Sequence, residues 1–261
     1  MPPPPDFGPK GPLSSKGPAL PDKSGGGVRL ETVNFSVIVP VCNEAQILPG
    51  LLREMIPALR ALEIPFELIL CENGSSDATF VVAKELQTGN PELRIERIAA
   101  RDKGLALRRA IAAASGSILV FFDAEYWSVD FIREGFRKLE SCDGVMGSKS
   151  MSGAKDGRPF LRKAVTRIYN AFLRAFFKLR GTETRGLMMF KKATLSQILP
   201  HCVTRQFVFE TELVLRAQRM GFRIVEIPSE VRELRPHGVG ALFGRVPGVL
   251  WNLGKLRLAL K

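Results

Sequence analysis

The sequence predicts an α/β fold with a mostly parallel sheet flanked by helices. Two observations carry that reading. Short apolar runs of strand length alternate with helical patterns through the first half of the chain, as in βαβ units. One run, 117–122 (SILVFF), then stops abruptly in two carboxylates, Asp123 and Glu125, spaced i, i+2. Ligands of open α/β sheets bind beyond the carboxyl ends of the strands, so this pair belongs at a binding edge. The elements follow in order. Residues 35–40 form a strand, and Asn43 and Glu44 open a helical pattern reaching about 62. A second strand over 67–71 ends in the turn 72–77, and a helix follows from about 78 to 86 with Ser76 or Asp77 as its cap. Residues 94–98 alternate as a strand, 102–114 are helical, and 118–122 are the strand that carries the carboxylates. In the second half, 144–147 is a short strand and 160–180 a long helix. Residues 206–220 form another helix ended by Gly221, and 222–228 a further strand. The segment 239–260 is weakly helical and broken by Pro247. No internal repeat is present.

A chain of 261 residues with 45% hydrophobic residues makes one large domain with appendages. Residues 1–31, rich in Pro, Gly, Ser and Lys, read as a disordered tail. The main domain spans 32–240, and 241–261 is an amphipathic C-terminal segment. Lys+Arg 38 against Asp+Glu 26 gives a net charge of +12, which points to a polyanionic partner. Cys42, Cys71, Cys142 and Cys202 form no CxxC pair and read as reduced thiols of a cytosolic protein. No apolar run approaches the roughly 18 residues of a membrane span, so the expectation is a protein that lies on a bilayer rather than crosses it.

Hard oxygen ligands such as Asp123 and Glu125 suit Mg²⁺ or Mn²⁺, held partly by protein and partly by substrate phosphates. Glu72, Asn73 and Asp77 follow a strand and precede a helix, where acidic and amide groups can read a base or ribose; a capped helix start alone also explains them. Arg101, Asp102 and Lys103 lead into a helix N-terminus, an arrangement that attracts anions and that ordinary surface loops share. Residues 149–192 hold 12 Lys/Arg and two acids, most of the net charge. Within them Leu161, Val165, Ile168, Phe172 and Phe176 recur at helical spacing, opposite Lys163, Arg167, Arg174 and Lys178. That is the pattern of a helix lying in a membrane interface, with Trp251 offering a second foothold. A surface helix packed on the core gives a similar pattern. The wide apolar face argues against nucleic acid as the partner. Lys149, Arg162, Lys163, Arg232 and Arg235 are candidate phosphate ligands. His201 and His237 read as structural or loop residues.

In order along the chain, FSVIVPVCNE, LCENGSSDAT, ARDKGLALRRAIAAASGSILVFFDAE, GSKS and FVFETELVLRAQRMGFRIVEIP resemble the family 2 glycosyltransferases of the GT-A fold. Within that family the similarity is to polyprenyl-phosphate (dolichol-phosphate) mannosyl- and glucosyltransferases. The resemblance covers about 34–240 and implies a GT-A-type, Rossmann-like mixed sheet with a nucleotide-sugar half (32–127) and an acceptor half (128–240). It implies that Pro40, Asn43, Glu44, Glu72, Asn73 and Ala124 border the nucleotide and that Asp77 orders its loop. Asp102 and Lys103 would lie near the diphosphate, with Asp123 and Glu125 carrying Mg²⁺ or Mn²⁺. Lys149 and Arg162 (or Lys163) would hold the acceptor phosphate, and Arg232 or Arg235 would clamp the donor. Glu212 matches the acid of the family's Phe-x-x-Glu helix.

The implied reaction moves one sugar from GDP-mannose or UDP-glucose to a polyprenyl phosphate, with inversion, at the cytoplasmic membrane face. A membrane-anchoring partner protein is compatible with it. The chain departs from the family in having Glu125 for Asp, Trp127 for Gln, Lys149 for Arg, and Thr184-Arg185-Gly186-Leu187 in place of Ser/Cys-Gly-Phe. It also lacks the Gln-x-x-Arg-Trp motif of processive synthases. The alternatives are a hydroxyl acceptor, with Glu183 or Glu210 as base, and a degenerate nucleotide-binding scaffold.

Overall fold

Side-chain alternation along the strands decides how the sheet is covered. On β1 (Phe35–Val41), Phe35, Val37, Val39 and Val41 enter one buried cluster and Ile38 enters another across the sheet. On β4 (Ile118–Phe121) and its extension, Val120 and Phe122 join the first cluster, while Leu119 and Phe121 join the second. Strands apolar on both faces need helices on both faces, which is why these runs are continuous rather than alternating with polar residues.

The computed structural model describes residues 35–157, 159–231 and 246–260. After β1 come α1 (Leu48–Arg60), β2 (Phe66–Asn73), α2 (Thr79–Thr88), β3 (Leu93–Ile98) and α3 (Lys103–Ala113). β4 leads to α4 (Val129–Leu139), β5 (Gly144–Ser148), the short β6 (Lys155–Asp156) and α5 (Phe160–Phe177). β7 (Met188–Lys191) runs directly into α6 (Lys192–Ile198), followed by α7 (Val208–Arg219), β8 (Ile224–Pro228), β9 (Glu230–Val231) and α8 (Val246–Ala259). The seven-stranded sheet has the order β3-β2-β1-β4-β7-β5-β8. Its pairings are parallel except where β7 runs antiparallel between β4 and β5. β6 and β9 form a separate two-stranded ribbon. The sheet is therefore mixed and mostly parallel, as the fold reading expects.

The differences from that reading are local. The first helix begins at Leu48 rather than at Asn43, because Asn43 adopts a left-handed φ of 59° and residues 44–47 form a turn. Pro247 sits in the first turn of α8 and does not break it, since a proline there forfeits no intrahelical bond. Leu253 and Leu256 of α8 join the core cluster beneath α7. The tail over 1–31 lies outside the described residues, as do Arg232, Arg235 and His237.

At the amino edge of the sheet, away from the carboxylates, Glu67 acts as a brace. It accepts hydrogen bonds from Ser36 Oγ (2.6 Å), Ser115 N (2.5 Å), Ser115 Oγ (2.6 Å) and Arg94 Nη1 (2.5 Å). Burial pushes its carboxyl up, but these donors together hold it down at about 2. A depressed carboxylate contributes stability that is fully present above its unfolded value, near 4.5, and is lost as pH falls toward 2. Urea midpoints of wild type and Glu67→Gln, measured at pH 7, 4.5 and 3, should therefore differ most at pH 7 and converge toward pH 3. A constant difference across that window would remove Glu67 from the acid response.

Candidate active site

The carboxyl ends of β1, β2 and β4 converge because β1 is the shared neighbour of the other two, in registers that pair Val41 with Glu72 and Ile38 with Phe121. The loops after β1 and β2 are stitched together. Asn43 N donates to Ser75 Oγ (3.0 Å), and Asn43 Oδ1 accepts from Ser76 N (2.8 Å). Glu44 N donates to Thr79 Oγ1 (2.7 Å). Asp77 accepts from Ala45 N with one oxygen (3.2 Å) and from Thr79 N with the other (3.0 Å). Asn73 Nδ2 reaches Val41 O (3.2 Å). Gly74 turns the chain at φ 68°, and a Cβ there would lie 2.8 Å from Ala99 O, so only glycine fits. Glu72 is fully buried, with one oxygen on Ser75 N (2.5 Å) and the other on Arg97 Nε (2.9 Å). Pro40 is half-buried in β1, and the Ala124 side chain packs into the core.

Asp123 leaves β4 into a tight turn closed by two backbone bonds with Tyr126, at 3.2 and 2.9 Å. Its side chain is 45% exposed, and Glu125 is half-buried in the same turn. Lys103 Nζ lies 2.8 Å from Asp123 Oδ1 and 2.9 Å from Glu210 Oε2 on α7. Burial raises the Asp123 carboxyl, but the charge and hydrogen bond of Lys103, then the charges of Lys149 and Arg185, outweigh it and hold it below the ordinary carboxylate range. Burial likewise opposes the Lys103 ammonium, and its two carboxylates more than compensate, so its pKa is raised.

Lys149 follows the end of β5, with its Nζ 3.6 Å from Glu183 Oε2 and 5.8 Å from the centre of the Tyr126 ring. The 181–186 loop that carries Glu183 and Arg185 is pinned by Glu226, which accepts from Thr182 N (2.6 Å), Thr182 Oγ1 (2.9 Å) and Glu183 N (2.9 Å). Arg185 stacks 5.4 Å from the Tyr169 ring centre. Arg162 and Lys163 lie half-buried in the first turn of α5.

Among the described residues no group of three or more His, Cys, Asp or Glu forms a metal cage. Asp123 nevertheless fits a divalent ion of the kind that keeps water and phosphate in its shell. It is ionised and accessible, and Glu125 is two residues further along the same turn.

Two acids on α7 have separate tasks. Glu212, the one the sequence matches to the family motif, is fully buried and meets the 203–204 segment and Arg216. It accepts from Val203 N (2.9 Å), Thr204 N (2.7 Å), Thr204 Oγ1 (2.6 Å) and Arg216 Nε (2.7 Å). Glu210 is the acid that reaches Lys103. Neither Glu210 in this role nor Arg185 is apparent from sequence, because residues 208–217 are all buried and periodicity cannot say which acid faces the edge.

Residues 36–213 match the family described as glycosyl transferase family 2, and the chain belongs to that family. It is a glycosyltransferase. Glycosyltransferase AglD of Haloferax volcanii is 30% identical over 207 residues, 76% of this chain and 33% of that one, so the chain spans about a third of that relative. The dolichyl-phosphate beta-glucosyltransferase of Dictyostelium discoideum is 26% identical over 223 residues, covering 78% of this chain and 68% of that one. The glucosyl-3-phosphoglycerate synthase of Mycobacterium tuberculosis, solved with Mn²⁺, UDP and glucosyl-3-phosphoglycerate, superposes with a TM-score of 0.66 at 20% identity, over 87% of this chain and 82% of that one. The fold is thus of the GT-A type.

Because Glu212 compensates three loop donors and Arg216 at once, Glu212→Ala should lower stability by about 3–5 kcal/mol, as for other buried pairs that lose one partner. Urea denaturation would measure it. A loss under about 1 kcal/mol would show that water replaces the carboxylate there.

Proposed function

We propose that this glycosyltransferase moves one hexosyl group from a nucleoside-diphosphate sugar to a dolichyl-type polyprenyl phosphate, with inversion, at the cytoplasmic face of a membrane. The observation that carries the reading is Lys103 Nζ 2.8 Å from Asp123 Oδ1 at the carboxyl edge of the sheet, with Lys149 at the end of β5 beside Tyr126 of the Asp123 turn and Arg185 on the pinned loop. A phosphate acceptor is anionic at neutral pH and needs positioning by cations, whereas a hydroxyl acceptor needs a base. Glu183 is already paired with Lys149 and Glu210 with Lys103, which leaves both poorly placed to act as that base.

The stitched 43–45 and 73–79 loops would receive the nucleotide, with Asn43, Glu44, Asn73 and Asp77 at its border and Glu72 fixing the loop from below. Lys103 would lie beside the diphosphate, with Asp102 holding the start of its helix in place. A divalent ion held by Asp123 and Glu125 would supply Lewis-acid neutralisation of the leaving diphosphate. Lys149 would orient the acceptor phosphate for in-line attack, with Arg162 or Lys163 from α5 and Arg185 beside it. The dolichyl-phosphate beta-glucosyltransferase relative favours glucose as the sugar, so UDP-glucose is the first donor to test and GDP-mannose the second.

The membrane reading rests on side chains left outside the core. On α5, Phe160 (79%), Ile168 (70%) and Phe176 (52%) are exposed, while Leu173 and Phe177 on the adjoining face are buried. On α8, Leu250, Trp251 and Leu258 are exposed. Arg257 Nη1 donates to Phe176 O, so the ends of the two helices meet. No helix of the described residues is long and apolar enough to cross a membrane. An interfacial seat would suit the same chemistry, because the phosphate of a lipid acceptor lies at the membrane surface.

Purified protein incubated with Mn²⁺, a short polyprenyl phosphate and each labelled nucleotide sugar should place label in the lipid phase with a single donor. Asp123→Ala should lower that label by about 100-fold or more, given the several kcal/mol such charge stabilisation supplies. Equal label with the variant would overturn the assignment of Asp123. In sedimentation with anionic vesicles, the double variant Ile168→Glu, Trp251→Glu should bind severalfold more weakly than wild type. Unchanged binding would remove α5 and α8 from the interface.

A further inference from the structure

Lys103 is bracketed by two carboxylates from different elements, at nearly equal distances of 2.8 and 2.9 Å. One, Asp123, is 45% exposed at the end of β4. The other, Glu210, is 3% exposed inside α7. A carboxylate so deep is costly unless a cation answers it. The fold brings the pair together by docking the start of α3 against the start of α7. Asp102 caps α3 through Leu105 N (3.0 Å) and with the same oxygen accepts from Gln206 N (2.9 Å). Gly104 permits the contact, since a Cβ there would lie 2.7 Å from Gln206 N and 2.8 Å from Phe209 Cβ.

We propose that Glu210 is a positioning residue that holds Lys103 as a shared rather than a dedicated partner of Asp123, and so keeps Asp123 able to take a divalent cation. This rests on the metal reading of Asp123 given above. With Glu210 in place the trio Asp123–Lys103–Glu210 carries one net negative charge. Without it, the trio is neutral, and with Glu125 and Glu183 set against Lys149 and Arg185 the edge as a whole falls from one net negative charge to none, which is less favourable to a divalent ion. When a cation settles on Asp123, Lys103 is repelled, and Glu210 gives the ammonium a place to stay. The buried lysine then needs no excursion into solvent, and its other neighbours need not move.

The test is Mn²⁺ binding to the intact chain without donor, read by the loss of the free-ion electron paramagnetic resonance signal. Four proteins are compared: wild type, Asp123→Asn, Glu210→Gln, and the double variant Lys103→Met, Glu210→Gln. Asp123→Asn should abolish the specific site. Glu210→Gln, close in shape but uncharged, should weaken Mn²⁺ binding on the order of tenfold. The double variant removes cation and anion together and should bind Mn²⁺ at least as tightly as wild type. It keeps the test decisive if Glu210→Gln alone does not fold. Wild-type affinity in Glu210→Gln, or tenfold weakening in the double variant, would overturn the role of Glu210 while leaving the metal site standing. If Asp123→Asn leaves Mn²⁺ binding unchanged, the metal reading itself fails and this inference with it.

Discussion

The buried ammonium of Lys103 is the interaction on which the active edge depends. It joins the first residue of α3, the end of β4 and the first turn of α7. A lysine in a low-dielectric setting tends to lose its proton, and only the two carboxylates beside it keep it charged. Other features are arranged to permit that contact. Asp102 spends its carboxylate on the α3 cap and on Gln206, and position 104 must lack a side chain for α7 to come close. A substitution at either position would act on chemistry through the placement of an ion pair, with no direct contact to the reacting atoms.

The two sides of the edge are built differently. On the side of β1 and β2, backbone N–H groups of one loop bond the side chains of the other, at Asn43, Glu44 and Ala45. Each such bond contributes on the order of 1 kcal/mol net, and together they fix a shape before any ligand arrives. On the side of β5 and β7, the 181–186 loop is held by Glu226, by Ser148 and Asn170 at Thr182, by Thr211 at Thr184, and by packing of Tyr169 on Arg185. The first side is a preformed cradle suited to a constant group such as a nucleotide. The second is tied mainly by side chains from several elements and carries two of the chain's departures from family pattern, Lys149 and the 184–187 segment.

Much of this was readable before the structure. The strands at 35–40, 67–71 and 118–122 stand close to their observed places because a doubly covered parallel strand must be continuously apolar, and the edge strand at 94–98 because it alternates. The helix over Lys103–Ala113 is announced by Asp102, a residue that caps well. Other elements went unread. α4 carries a legible signal in Ser128, which accepts from Phe131 N, and in the helical spacing of Phe131, Ile132, Gly135, Phe136 and Leu139. β7 carries almost none. Its four residues pass into α6 without a turn, and its antiparallel seat between β4 and β5 is a tertiary fact. The apolar stripe of α5 was legible as a stripe, but only packing divides it into Leu173 and Phe177 inside and Ile168 and Phe176 outside. At the site, Asp123 could be named from the chain alone. Its charge environment could not, because Glu210 and Arg185 lie 87 and 62 residues away along the sequence and reach it only through α7 and the pinned loop.

Charge balance constrains what such a site would accept. Asp123, Glu183 and Glu210 offset Lys103, Lys149 and Arg185, and Glu125 adds a further acid to the same turn. The edge is therefore not a simple cationic well, despite the chain's net charge of +12. On the proposed reading, a diphosphate donor and a divalent ion would favour one another, since each neutralises what the other brings. An acceptor phosphate entering afterwards would find cations already partly answered by carboxylates, and electrostatics alone would bind it weakly. The remaining affinity has a natural source in the apolar side chains on α5 and α8, against which a prenyl chain or the bilayer holding it would lie. Burial of apolar surface contributes roughly 25 cal/mol per Å², and it does so without regard to charge. A lipid-borne phosphate resolves that balance better than a small soluble one, because its tail supplies binding that the head cannot.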